Sequence, residues 1–88
     1  MGEGVMKRLQ LPFNVRVTST GSDNRTQTVD GQRAASTCSP QVAMERLVDK
    51  LAALRAMRPG VLRCREVPGL RVGHTQSVWQ LYEHLEGN

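Results

Sequence analysis

The strongest constraint on this chain is a single change in the spacing of its apolar residues, at Cys38-Ser39-Pro40. Before it, Phe13, Val15 and Val17 alternate with Asn14, Arg16 and Thr18, the two-residue period of a strand with one buried and one wet face. After it, Met44, Leu47, Leu51 and Leu54 form a stripe at helical spacing, flanked by Ala43 and Val48, with Glu45, Arg46, Asp49 and Lys50 opposite. A helix and a set of strands must therefore share one core. Ser39 supplies a hydroxyl for an unpaired helix N–H, and Pro40 suits the first helical position, where its missing donor costs nothing. Arg58-Pro59-Gly60 ends the helix, because Pro59 cannot donate to the preceding turn and Gly60 releases the chain.

Strands are expected at 12–20, 25–29 and 32–38, forming a three-stranded antiparallel meander. Gly21-Ser22-Asp23-Asn24 is a loop by composition, and Asp30-Gly31 supplies the positive φ angles of a type I′ hairpin turn. Between Thr18 and Pro40 only Val29, Ala34, Ala35 and Cys38 are apolar, so this part of the sheet has little to bury. Ala34, Ala35 and Cys38 are small enough to let strand and helix approach closely, and Cys38 reads as a small buried side chain. A further strand alternates over 61–67, and Pro68-Gly69 turns it back. In the last segment Val78, Trp79, Leu81, Tyr82 and Leu85 fit helical spacing, whereas Val, Trp and Tyr favour strands. Residues 75–86 thus admit both readings. Residues 1–11 read as a loose arm and 12–88 as one domain. The fold class is α+β: an antiparallel meander, a central amphipathic helix packed on the sheet, and a C-terminal strand pair unless the last segment is helical. With one Phe, one Trp and one Tyr among 88 residues, the core must come from Val, Leu, Met and Ala.

No constellation in the sequence carries catalysis. Cys38, Cys64, His74 and His84 number enough for tetrahedral zinc, but they are 26, 10 and 10 residues apart, without the tight Cys or His pairs of structural zinc sites. Cys38 precedes a helix, which lowers a thiol pKa, yet nothing brings His74 or His84 to it as a base. Gly2-Glu3-Gly4 lacks the strand-to-helix context of a phosphate loop, and Glu45 and Asp49 are flanked by Arg46 and Lys50 as surface charge. The expectation is a protein that is not an enzyme and holds no metal or cofactor. No stretch approaches the roughly 20 apolar residues that span a bilayer, and the start has no secretory signal. The chain reads as cytoplasmic, with no membrane partner and with reduced thiols, although a Cys38–Cys64 bridge stays geometrically open.

The formal charge is +4, and ten of the twelve basic residues are arginines. Arg55, Arg58, Arg63, Arg65 and Arg71 face only Glu66 within one span. Such a field attracts phosphate backbones or acidic protein surfaces. The candidate partner- or nucleic-acid-binding residues are Arg16, Arg25, Arg33, Arg63, Arg65 and Arg71. Trp79 and Tyr82 are base-stacking types, but in so aromatic-poor a chain they read first as core residues.

The span from Phe13 to Leu51, FNVRVTSTGSDNRTQTVDGQRAASTCSPQVAMERLVDKL, resembles in layout the C-terminal two-thirds of a double-stranded RNA-binding domain, with three strands, a small-residue segment and a helix opened by Ser. That family carries a lysine cluster at the start of the helix, where this chain has Pro40, Gln41 and Val42. The resemblance therefore implies the fold and argues against the activity. In size and layout the chain also resembles small phage and mobile-element proteins, among them some anti-CRISPR inhibitors. This second resemblance implies a stoichiometric inhibitor bound to a bacterial protein or nucleoprotein complex, such as a Cas effector. It also tilts the last segment toward a strand. The alternative is a small nucleic-acid-binding module using the same arginines.

Overall fold

The computed structural model describes residues 10–73 and 75–84. In chain order the elements are β1 (Phe13–Thr20), β2 (Asp23–Thr26), β3 (Ala35–Ser36), α1 (Pro40–Leu54), β4 (Leu62–Glu66) and β5 (Gln76–Glu83), with a 3-10 turn at Pro68–Leu70. The fold is α+β, as its two apolar periods require. All five strands are antiparallel to their neighbours in the order β3-β2-β1-β5-β4. The helix crosses one face from the β3 edge to the β4 edge and touches every strand, so the sheet curls around it.

Local chemistry accounts for most of the joints. Ser39 is extended at φ −167°, and its hydroxyl accepts the Val42 N–H at 3.1 Å, with Pro40 opening the helix behind it. Asp30 and Gly31 both have positive φ, and Val29 and Gln32 exchange two hydrogen bonds of 2.8 Å across the turn, as the type I′ reading expects. The loop expected at 21–24 contracts to Gly21-Ser22. Gly21 takes φ +60°, which suits the first central position of a two-residue hairpin, and Asp23 and Asn24 join β2.

The core consists of Val15, Val17, Leu62, Trp79 and Leu81 from the sheet, Met44, Leu47 and Leu51 from the helix, and Val29 and Ala34 from the polar hairpin. That hairpin has few apolar residues, and buried polar groups replace them. Asn24 donates to the Ser36 carbonyl at 2.9 Å and accepts the Ser19 hydroxyl at 2.7 Å, while the Thr26 hydroxyl accepts the Ala34 N–H at 3.0 Å. Arg55 and Asp30, both largely enclosed, join the end of the helix to the Asp30-Gly31 turn at 3.2 Å.

Several expectations are corrected. The second and third strands, expected at 25–29 and 32–38, are Asp23–Thr26 and the two-residue Ala35–Ser36. Cys38 and Ala35 are exposed, so only Ala34 of the small trio lies in the core. Leu54 continues the helical stripe but is 55% exposed at the last residue of the helix, where Leu51 and Ala52 make the core contacts instead. The helix stops before Arg58-Pro59-Gly60: Ala56 turns to φ +54°, and the Met57 and Ala56 N–H groups bond back to Ala52 and Ala53, a helix-ending arrangement that usually takes glycine. The final segment is a strand, and it lies inside the sheet between β1 and β4. Of the expected N-terminal arm, residues 1–9 lie outside the described residues, and Leu11 packs against the core.

Candidate functional site

The helix covers one face of the sheet and leaves the other open. Alternation assigns each strand residue to a face. Val15, Val17, Asn24, Thr26, Leu62, Ser77, Trp79 and Leu81 are buried on the covered side. Asn14, Arg16, Thr18 and Thr20 of β1 therefore stand on the open side, with Asp23 and Arg25 of β2, Arg63 and Arg65 of β4, and Gln76, Val78, Gln80 and Tyr82 of β5. Four of the expected binding residues, Arg16, Arg25, Arg63 and Arg65, thus share one face with one acidic strand residue, Asp23.

Register fixes their layout. Arg25 lies opposite Thr18, Arg16 opposite Val78, Arg65 opposite Gln80 and Arg63 opposite Tyr82. With strands about 4.8 Å apart, Arg16 and Arg65 are about 12 Å apart at their Cα atoms, one two-residue step out of row. Most of these guanidiniums are already oriented. Arg65 Nε donates to Gln80 at 3.0 Å and its guanidinium lies 5.0 Å from the centre of the Tyr82 ring. Arg63 Nε donates to the Gly60 carbonyl at 2.9 Å, and Arg25 Nε pairs with Asp23 at 2.5 Å. Arg16 is held through its backbone, whose N–H donates to Gln27 at 2.8 Å, and its guanidinium has no partner among the described residues. A row of fixed, partly unused N–H donors on a pleated surface suits carboxylates and phosphates, which arginine binds in a planar, two-pronged manner.

Of the other two expected residues, Arg33 adjoins this group beside Arg25, and Arg71 stands apart from it. Arg33 lies at the β3 edge beside a depression of about 470 Å³ that Arg25 and Lys50 also line. Arg71 bonds Glu66 through Nε at 2.9 Å and Nη2 at 2.6 Å, and Glu66 pairs with Trp79, on the side away from Arg63 and Arg65. Its charge is spent locally. Tyr82 belongs to the face although its sequence context reads first as core; its shared parity with Gln80 would reveal this once the segment is known to be a strand.

Both cysteines are free thiols. Cys38 is exposed, and Cys64 is half-buried on β4, where burial, with Glu45 adding to it, pushes the thiol up to about 11. Among the described residues no three His, Cys, Asp or Glu side chains are grouped as metal ligands; His74 lies outside them. No helix among them is long and apolar enough to cross a membrane. No family model, curated protein or solved structure matches the chain.

Proposed function

We propose that this chain is a non-enzymatic binding protein that covers an acidic surface of its partner with the open face of its sheet. The observation that carries this reading is the gathering of Arg16, Arg25, Arg63 and Arg65 on a face the helix leaves uncovered, against one acidic residue of the described strands there, Asp23. Together with the resemblance to small phage inhibitors, it favours a bacterial protein or nucleoprotein complex as partner, a Cas effector being the first to test. Rim arginines of this kind govern association rate and its salt dependence, whereas a desolvated central one governs dissociation. Arg16, central and with no guanidinium partner among the described residues, is the residue expected to matter most. Purified Cas effector complexes should retain the chain on a column and lose it on Arg16→Glu. Failure of every effector to retain it would overturn the inhibitor reading.

Arg65 stacked on Tyr82 favours one second reading, a nucleic-acid module whose sheet contacts phosphates and a base. Four phosphate contacts would make log K for a generic duplex fall with a slope of about −3.6 against log salt. Absence of duplex or single-strand binding at low salt removes that reading and leaves the protein-binding one standing.

A further inference from the structure

The two edges of the sheet are finished differently. On one side, Ala34 and Ser36 turn their backbone groups toward β2, so Arg33 and Ala35 point theirs outward. The helix occupies those positions: Lys50 Nζ donates to the Arg33 carbonyl at 2.6 Å, and Arg46 Nη1 donates to the Ala35 carbonyl at 2.9 Å. On the other side, Val61 accepts the His84 N–H at 2.7 Å and Val67 donates to Val78 at 2.8 Å, which fixes the alternation of β4. Leu62, Cys64 and Glu66 therefore turn their N–H and C=O groups away from β5. Those groups take no hydrogen bond among the described residues.

An unpaired edge is a template for another strand unless something blocks it. Here a groove of about 420 Å³ runs beside the edge, between β4 and α1. Val48, Leu62 and Cys64 form its apolar part, Glu45 and Asp49 of the helix its acidic wall, and Arg63 borders it on the open face. A second copy of this chain is a poor occupant. Any two-fold antiparallel pairing centred on Arg63, Cys64 or Arg65 sets one arginine directly opposite another, and like charges in that position are destabilising. Charge complementarity selects a different sequence.

We propose that the β4 edge binds an extended segment of another protein as a sixth strand, with acidic side chains at alternate positions beside Arg63 and Arg65 and a small apolar side chain between them, over Val48 and Cys64. The acidic wall of Glu45 and Asp49 disfavours a nucleic-acid occupant and favours a basic residue at the end of the same segment. The site needs no particular ligand on the open face, although Arg63 and Arg65 border both.

The test uses the full chain and a blocked hexapeptide alternating glutamate and valine. Binding should shift the amide resonances of Leu62, Cys64 and Glu66 and slow hydrogen exchange at all three. Methylating the peptide amides that face β4 should weaken binding at least about tenfold, because main-chain hydrogen bonds carry strand addition. A double variant, Arg63→Glu with Arg65→Glu, should lose the glutamate peptide and accept one alternating lysine and valine. Arg16→Glu should leave peptide binding unchanged, so that loss of the partner on the open face and loss of this edge are read separately. Equal affinity for the methylated peptide, shifts confined to the strands around Arg16 and Arg25, or silence at residues 62–66 with millimolar peptide each overturns the proposal. If the double variant fails to fold, the methylated peptide on the unmodified chain still decides.

Discussion

Replacing Asn24 with Ala tests whether buried hydrogen bonds hold the polar hairpin, where the core has so few apolar side chains. Asn24 is 7% exposed, donates to the carbonyl of Ser36, itself 3% exposed, and accepts the Ser19 hydroxyl. A net hydrogen bond contributes about 0.5–1.5 kcal/mol, and a buried acceptor left without a donor adds a penalty of about 1–3 kcal/mol. The half-buried Ser19 hydroxyl can turn to water, but the buried Ser36 carbonyl cannot replace the Asn24 amide donor that way. The expected loss is about 2–3 kcal/mol, against a total stability of about 4–13 kcal/mol for a chain this size. In urea, with a slope of about 1 kcal/mol per molar, the midpoint should fall by about 2–3 M without a change in slope. Thr18→Ala, on the open face of the adjoining strand, serves as control and should stay within about 0.5 kcal/mol. A change below about 0.5 kcal/mol for Asn24→Ala would refute the reasoning, since it would mean that the hairpin is held by its backbone ladder alone.

The remaining expectations concern caps and thiols. Ser39→Ala removes the hydroxyl that accepts the Val42 N–H and should cost about 1 kcal/mol in the same urea assay. Ala56→Gly relieves a left-handed alanine at φ +54° and should stabilise by about 0.5–1 kcal/mol, the strain released exceeding the entropy glycine adds to the unfolded chain. Burial, then Glu45, raises the Cys64 thiol from 9.0 to about 11. In the unfolded chain it ionises first, so stability from this group is intact below pH 9 and is lost on going toward pH 11, on the order of 1–2 kcal/mol. Subtracting the alkaline stability curve of Cys64→Ala from that of the parent isolates this loss; parallel curves would remove it. At pH 8 iodoacetamide should label Cys38, which is exposed, and spare Cys64, so mass spectrometry should find one adduct on the parent and none on Cys38→Ser.

What was legible in the sequence was local. Ser39-Pro40 and Asp30-Gly31 each specify their own geometry, and the Val15-Val17 alternation names the covered face of β1, which places Arg16 on the other. The strand Gln76–Glu83 was hidden because both of its faces carry apolar side chains: Trp79 and Leu81 on the covered side, Val78 and Tyr82 on the open side. That double occupancy imitates helical spacing, and it arises because β5 is an interior strand. No local signal places the last strand between the first and the fourth. Leu54 obeys the helical period yet stands exposed at the last residue of the helix, and Cys38 falls in the bend ahead of the cap. For the arginines, parity grouped Arg63 with Arg65. Bringing them to the same face as Arg16 and Arg25 required the β1–β5–β4 registers, which are tertiary facts.

The helix explains why the two edges differ. Met44, Leu47 and Leu51 face the sheet, and the residues just beside them diverge in charge: Arg46 and Lys50 reach β3, while Glu45 and Asp49 line the groove toward β4. Carbonyls on an edge attract cationic donors, so the basic flank closes the edge it overlies, whereas the acidic flank offers β4 no donor. If this asymmetry sets the association behaviour, Arg46→Leu with Lys50→Leu should free the Arg33 and Ala35 carbonyls. Both side chains are exposed, so stability should fall by less than about 1 kcal/mol per bond. The change should appear instead in sedimentation velocity, as concentration-dependent self-association through the unblocked β3 edge. A variant that stays as dispersed as the parent at every concentration would show that the shortness of β3, and not the helix, protects that edge.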